Sequence, residues 1–490
     1  MGILSALLWT PAMGVLLLAC TPAKNTRTLR GISNGIAALT FLLAVIIMSD
    51  YDAFDPALQF SEQFILNADL GNAYALGIDG LSLPMVLLAT LLTNIALLVS
   101  TCITERIKTY YICILLFEFG GLGVFLAHDW ALFYAFWEAT LIPLFFLIDR
   151  WGGKQRHVAS LNFVLYALGG SIFILASLFA LGEYMPEQGG SLMSTLGEAA
   201  QSMPENEQVL VLIGFLIGFG VKMPTFPLHG WLPLAHAESP TPVNILVSGV
   251  LLNMGAYGFL RAVVMLPVAV EALQAFLAFL ALFSMVYGGL LAWRQSDLKT
   301  MLAYASISHM GVILLGITTL NLTGLSGAIL QMTAQGLINA TLFLLVGLLV
   351  ERTGTRNIQD YSSLAPVMPR FAILTTLTFL AAMRLPGSVG FIAELHAIIG
   401  GFERWGGWMV FFSVSILISA AYSIRTIGLL FMGPTKPDMQ SLVDIHHHEV
   451  IAAGLLVSAI MLLGFFPTTL IDLSIATLAQ INSLMTERVL

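Results

Sequence analysis

Five side chains have a chemistry that does not suit their neighbours. Glu138 lies in Phe-Tyr-Ala-Phe-Trp-Glu-Ala-Thr-Leu-Ile-Pro, Lys222 in Gly-Phe-Gly-Val-Lys-Met-Pro and His309 in Ser-Ile-Ser-His-Met-Gly; Glu118 and Glu394 interrupt similar apolar runs. An ionisable group at mid-bilayer costs at least about 2.5–3.5 kcal/mol on insertion scales, and such groups mark ion or proton routes. Loss of water disfavours an isolated charge, so a movable neighbouring charge can switch whether the group holds its proton. Glu138 reads as a proton or cation site, or as a protonated carboxyl hydrogen-bonded into a bundle. Lys222 reads as a proton carrier; its apolar flanks leave it far from either end of its helix, which disfavours snorkelling. His309 and Glu118 each read either as relay members or as satisfied core groups.

Prolines stand beside two of these groups. Pro224 and Pro227 remove backbone donors and break the helix next to Lys222. A broken helix at membrane depth is tolerated where it is buried in protein or lines a hydrated cavity. Arg384-Leu-Pro386-Gly387, ahead of Glu394, repeats the basic-x-Pro spacing about 160 residues later. These breaks fall in the seventh and twelfth predicted spans. A repeat of five helices is odd, so its second copy must be inverted, which is a transporter signature. His229 and His236 flank Trp231-Leu-Pro233, where they either connect Lys222 to the cytoplasm or cap a re-entrant turn. His446, His447 and His448 form either a metal site or a solvated loop.

The elements that position these groups follow from composition. The chain has 490 residues, 58% hydrophobic and 10% charged, against roughly 25% charged in soluble domains. That excludes a soluble enzyme, a nucleic-acid binder and a disordered protein, and predicts an all-α polytopic membrane protein. Fourteen spans are predicted, at 2–21, 31–49, 77–101, 109–127, 129–148, 158–181, 208–232, 241–264, 270–292, 300–319, 323–350, 369–399, 407–432 and 450–474. Of the 20 Lys and Arg, 15 fall in alternate loops. The opposite loops hold only Arg261, Arg404 and Arg488, with acids at Asp50, Asp52, Asp55, Glu62 and Asp69, and at Glu183, Glu187, Glu198, Glu205 and Glu207. The positive-inside bias then places both termini on the non-cytoplasmic side. The three cysteines form no CxxC, so neither a disulfide framework nor a thiolate metal site is expected. There is no P-loop, dinucleotide fingerprint or haem motif, and no redox or hydrolytic chemistry is expected of this chain.

Several motifs together resemble the antiporter-like membrane subunits of respiratory complex I, and, in length and in the glutamate at 394, their subunit M type. They are Phe136-Trp137-Glu138 through Pro143 and Arg150-Trp-Gly-Gly153; Val221-Lys222-Met-Pro224 through Pro242; Leu302-Ala-Tyr-Ala-Ser-Ile-Ser-His309; Thr355-Arg-Asn-Ile; and Leu385-Pro-Gly-Ser-Val-Gly-Phe-Ile-Ala-Glu394. The resemblance implies two inverted five-helix repeats. It divides the chain into 1–108 with three membrane helices, 109–266 as the first repeat, 267–432 as the second and 433–490 with the last helix. It implies a Glu138–Lys222 pair in the first half and Glu394 as the key acid in the second. Three positions depart from the pattern: Asn253 replaces a lysine, Gln335 a histidine, and Arg384 a small or apolar residue. Amides hold water but cannot change protonation.

The expected function is proton translocation in an NADH–quinone oxidoreductase. Glu138 sets the charge of Lys222 by ion pairing, and the proton moves past Asn253 and His309 to Glu394. No cofactor is expected in this chain; quinone, flavin and iron–sulfur clusters belong to partner subunits, beside neighbouring antiporter-like subunits in a bacterial inner membrane. The alternatives are an Mrp-type cation/proton antiporter, a membrane-bound hydrogenase, a CO2-uptake complex, or a spacer that no longer conducts.

Overall fold

Inside lipid every backbone polar group must be satisfied within its own segment, and the apolar runs accordingly form helices. The computed structural model describes residues 2–67, 71–185, 190–434 and 436–489, so Asp69 and Glu187 lie outside the described residues. The first quarter comprises α1 (Ile3–Cys20), α2 (Thr26–Asp50), a hairpin of β1 (Gln59–Asn67) and β2 (Asn72–Ile78), α3 (Ser82–Leu98) and α4 (Ile107–Leu126). Then come α5 (Trp130–Ala139), α6 (Leu141–Trp151), α7 (Arg156–Gly182), α8 (Met193–Ser202), α9 (Glu205–Lys222), α10 (Leu232–Glu238), α11 (Thr241–Leu246) and α12 (Leu252–Met265). The rest is α13 (Pro267–Arg294), α14 (Leu298–Thr318), α15 (Leu322–Thr353), α16 (Pro369–Ala382), α17 (Val389–Trp405), α18 (Val410–Phe431), α19 (His447–Phe465) and α20 (Thr468–Val489).

Among the described residues eleven stretches are long and apolar enough to cross a membrane, and one of them, Val389–Phe431, contains both α17 and α18. Ser82–Leu98 and Pro369–Ala382 are shorter apolar helices. The chain is a multi-pass integral membrane protein. Several expected boundaries are corrected. The start of the span expected at 77–101 is strand β2 and the Asp79 turn. The acidic loop after α2 holds the hairpin, and the second acidic loop holds α8. The last expected span, 450–474, ends at Phe465, and α20 follows Pro467.

Spans five and eight are irregular where continuous helices were expected. The crossing at 130–151 breaks at Thr140, because Pro143 lacks the donor that Ala139 would have received. The crossing at 241–265 carries a π-helical turn, Val247–Leu251; such turns recur at functional sites. The predicted breaks after Lys222 and around Pro386 are present. At the first, Gly220 O loses its donor at Pro224 and accepts from Thr225 N at 3.0 Å instead. Val221 O accepts from Trp231 Nε1 at 2.9 Å. Both of these carbonyls thus keep a donor at the break.

Connecting segments fall into two hydrogen-bonded sets. In one, Lys108 donates to Ala19 O, Trp151 to Glu105 O, Gly153 to Glu238 O and Leu298 to Arg356 O. In the other, His128 donates to Ala75 O, Trp130 to Ser191 O and Gly80 to Thr477 Oγ1. The 20 residues of α4 join the two sets, which places them about 30 Å apart. Helices α14, α15 and the α11–α12 crossing are buried nearly all round, while α2 and α7 leave most of their surface outside. His309 on α14 and Gln335 on α15 therefore lie at the centre of the protein.

Candidate functional site

The break in the α5–α6 crossing frees a carbonyl, and Lys222 takes it. Its Nζ donates to Trp137 O at 3.0 Å and to Thr140 Oγ1 at 3.2 Å. The same ammonium stands 3.6 Å from the centre of the Trp137 ring, a cation–π contact worth about 2 kcal/mol when desolvated. Ser171 Oγ fixes that ring by accepting from Trp137 Nε1 at 3.1 Å. Lys222 is fully buried.

Glu138 follows Trp137 directly, but consecutive helical residues do not share a face. Among the described residues Glu138 makes no ion pair within 4.0 Å. Its Oε1 is buried without a hydrogen-bond partner, and its side chain lines an apolar groove of about 620 Å³ with Ile142, Phe145, Leu161 and Leu168. The expected Glu138–Lys222 contact is therefore open, and the cradle of Trp137 and Thr140 stands in its place.

Helix α12 closes on the end of α9 at Gly255, where a Cβ would lie 2.5 Å from Met223 N. Two residues earlier, Asn253 Nδ2 donates to Gly249 O at 2.8 Å and Met332 O at 2.9 Å. Gln335 Nε2 donates to Ser248 O at 3.2 Å. The two amides that depart from the family pattern thus take carbonyls of the π-helical turn. Their oxygens, Asn253 Oδ1 and Gln335 Oε1, are buried without a partner, as is Asn339 Oδ1. Asn339 Nδ2 donates to Ser306 Oγ at 3.0 Å. His309 Nε2 stands 3.4 Å from Tyr422 Oη, and its Nδ1 has no partner. Lone pairs in this number make a polar interior suited to bound water.

In the second half Arg384 Nε lies 3.0 Å from Glu394 Oε2, with both side chains buried. The N–H is not aligned for a hydrogen bond, so this is a charge contact. Arg384 Nη1 also donates to Gln331 Oε1 at 3.2 Å. No sequence pattern pairs Arg384 with Glu394; the contact arises from the fold.

The remaining candidates lie apart. Glu118 is buried on α4 with both oxygens unpartnered. His229 packs against the rings of Phe226 and Tyr287, with Nδ1 unpartnered. His236 Nδ1 is 2.9 Å from Asn244 Oδ1, and its ring stacks on Phe343; Asn244 in turn holds His236 O and Ser239 O, which fastens the turn. His446 is the N-cap of α19, in a capping box with Glu449. Among the described residues no group of His, Cys, Asp and Glu could hold a metal ion.

The family profile described as NADH:quinone oxidoreductase/Mrp antiporter, TM matches residues 127–419. NAD(P)H-quinone oxidoreductase chain 4 1 of Picosynechococcus sp. is 37% identical over 96% of this chain and 90% of its own length. A chain of respiratory complex I from Thermus thermophilus superposes with a TM-score of 0.89 at 31% identity, over 99% of both chains. A chain of the Mrp complex from Dietzia sp. shares the fold, with a TM-score of 0.83 at 20% identity over 99% of this chain and 56% of that one. With matches of this extent, the chain belongs to the NADH:quinone oxidoreductase/Mrp antiporter transmembrane family.

Proposed function

We propose that this chain is a proton-translocating, antiporter-like membrane-arm subunit of an NADH–quinone oxidoreductase. It sits in a bacterial inner membrane beside other antiporter-like subunits. Quinone, flavin and iron–sulfur chemistry belongs to partner subunits, and this chain moves protons. The observation that carries the reading is Lys222, an amine buried at a helix break and held by a carbonyl and a hydroxyl, with an acid nearby but out of contact. When the Glu138 carboxylate approaches, the ammonium is held by the pair; at about 4 Å and an effective dielectric near 20 that attraction is about 4 kcal/mol. When they part, Lys222 releases its proton toward the polar centre at Asn253, Gln335 and His309. Glu394, paired to Arg384, is the acid of the second half.

The proposal includes fourteen crossings, with two inverted repeats over 109–266 and 267–432. The Lys- and Arg-rich loop set is cytoplasmic and both termini lie opposite, as the positive-inside bias favours. The amides at Asn253 and Gln335 favour a second reading, in which the chain is a spacer that does not conduct.

The test is to purify the native complex through a tag on this chain and reconstitute it in liposomes. Co-purifying quinone-reactive subunits and proton uptake driven by quinone reduction are expected. Co-purification of small antiporter subunits alone, with proton flux driven by a sodium gradient, overturns the proposal.

A further inference from the structure

Asn253, Tyr257 and Arg261 recur every four residues on α12, so they lie along one face. They lead from the Lys222 region toward the loop set that carries the hairpin. Asn253 and Tyr257 are fully buried. Tyr257 Oη accepts from Arg261 Nε at 3.0 Å and Nη2 at 2.9 Å, and donates to Phe125 O at 3.1 Å. Arg261 then holds Asp79 in a two-point contact, Nη1 to Oδ2 at 2.7 Å and Nη2 to Oδ1 at 2.9 Å. Asp79 Oδ1 also accepts from Leu81 N and Ser82 N at the start of α3. Beyond the pair lies a cavity of about 420 Å³, lined by Asp79, His128, Arg261, Ser194 and Thr477. His128 Nε2 is buried at its wall without a partner.

At the inner end, Asn253 Oδ1 is an unpartnered acceptor two residues from Gly255, whose backbone meets the end of α9. None of Tyr257, Arg261, Asp79 and His128 takes part in the Glu138–Lys222–His309–Glu394 scheme. A buried ion pair at the mouth of a polar line is costly to assemble, and a fixed guanidinium in a narrow passage repels protons and cations.

We infer that the Asn253–Tyr257–Arg261–Asp79 line is a second proton outlet, serving the first half of the chain and closed at its mouth by the Arg261–Asp79 pair. The inference rests on the proposed role of Lys222. A proton leaving Lys222 travels on water held at Asn253. When Arg261 swings away from Asp79 and from Tyr257, Tyr257 Oη takes it on the lone pair that Arg261 vacates, as it gives its own proton to the water admitted there, and the hydroxyl ends unchanged. The net result is one proton moved into the cavity.

The experiment uses the assembled complex in sealed membrane vesicles. It reads protons moved per quinone reduced, and the passive proton leak without substrate. Tyr257→Phe keeps the ring and removes the hydroxyl; it is expected to lower the ratio, by less than Lys222→Met does because the route past His309 to Glu394 remains, with parent-level leak. The double variant Asp79→Asn/Arg261→Gln keeps hydrogen bonding and removes both charges. It is expected to raise the passive leak about tenfold, equivalent to about 1.4 kcal/mol of barrier. A parent-level ratio in Tyr257→Phe, with Lys222→Met lowered, overturns the outlet and leaves the proposed function standing. A parent-level ratio in both overturns the proposed function and the outlet with it. If Tyr257→Phe does not assemble, the double variant decides, and a parent-level leak overturns the outlet.

Discussion

Arg384 Nε stands 3.0 Å from Glu394 Oε2 at the break between α16 and α17, and both side chains are under 5% exposed. Arg384 adopts a left-handed backbone, φ +65°, which a long side chain rarely takes without a compensating contact. Removing one member of a buried ion pair costs about 3–5 kcal/mol, because the other charge is left alone. Arg384→Met should therefore lower the thermal midpoint of the purified complex sharply. Arg384→Met combined with Glu394→Gln should recover most of the loss. Additive losses in the double variant would show that the two groups do not act as a pair.

Gly255 sets the distance between the amine and the polar centre. A Cβ there would lie 2.5 Å from Met223 N and 2.9 Å from Phe219 O, both backbone atoms. Gly255→Ala must push α12 from α9, at an overpacking cost of about 1–3 kcal/mol. The expected outcome is a complex that assembles with a lower midpoint and moves fewer protons per quinone. Parent-level values of both would mean that the two helices do not need this approach.

Glu62, on the hairpin, caps the first helix from a distance in sequence. Its Oε1 accepts from Leu4 N at 2.9 Å and Ser5 N at 3.0 Å, and its Oε2 from Ser5 Oγ at 2.6 Å. An acid at a helix N-terminus satisfies orphan donors and meets the helix dipole. Glu62→Ala should cost about 1–2 kcal/mol and speed proteolysis of the first twenty or so residues, measured by limited digestion. Unchanged digestion would leave the hairpin no role in holding α1.

How far the sequence foretells this structure depends on the kind of signal. Lys222 and Glu394 are legible because a charge in an apolar run is expensive, and the helix breaks beside them because proline removes a donor. The cradle at Trp137 and Thr140 is not, since it consists of a carbonyl freed by a break and a hydroxyl that would pass as ordinary. The partner of Arg384 is invisible for another reason: Glu394 lies ten residues on, across a turn whose geometry no local pattern encodes. The hairpin escaped because acidic residues such as Glu62 read as solvated loop, when its carboxylate is spent on α1. The break at Pro143 and the π-helical turn before Asn253 went unseen because hydropathy is blind to backbone register.

Acid should expose His128. Burial pushes its imidazole down to about 4, and the Arg261 guanidinium adds to the effect. The fold therefore favours the neutral ring, while the unfolded chain takes up the proton near the ordinary value of 6.5. Stability from this group is complete above that value and is lost as the pH falls from there to about 4, by up to about 1.4 kcal/mol per pH unit. Thermal midpoints of the complex between pH 7 and pH 5 should fall less steeply in His128→Gln than in the parent. Equal slopes would show that the ring is hydrated in both states.

The central claim is that Lys222 exchanges a proton, as distinct from supplying a fixed charge. Two substitutions separate these roles, because arginine keeps the charge and does not give up its proton. The decisive measurement is protons moved per quinone reduced in vesicles holding equal amounts of assembled complex. Lys222→Met and Lys222→Arg are both predicted to fall below the parent by the same amount. Full activity in Lys222→Arg, or in both variants, would contradict the account.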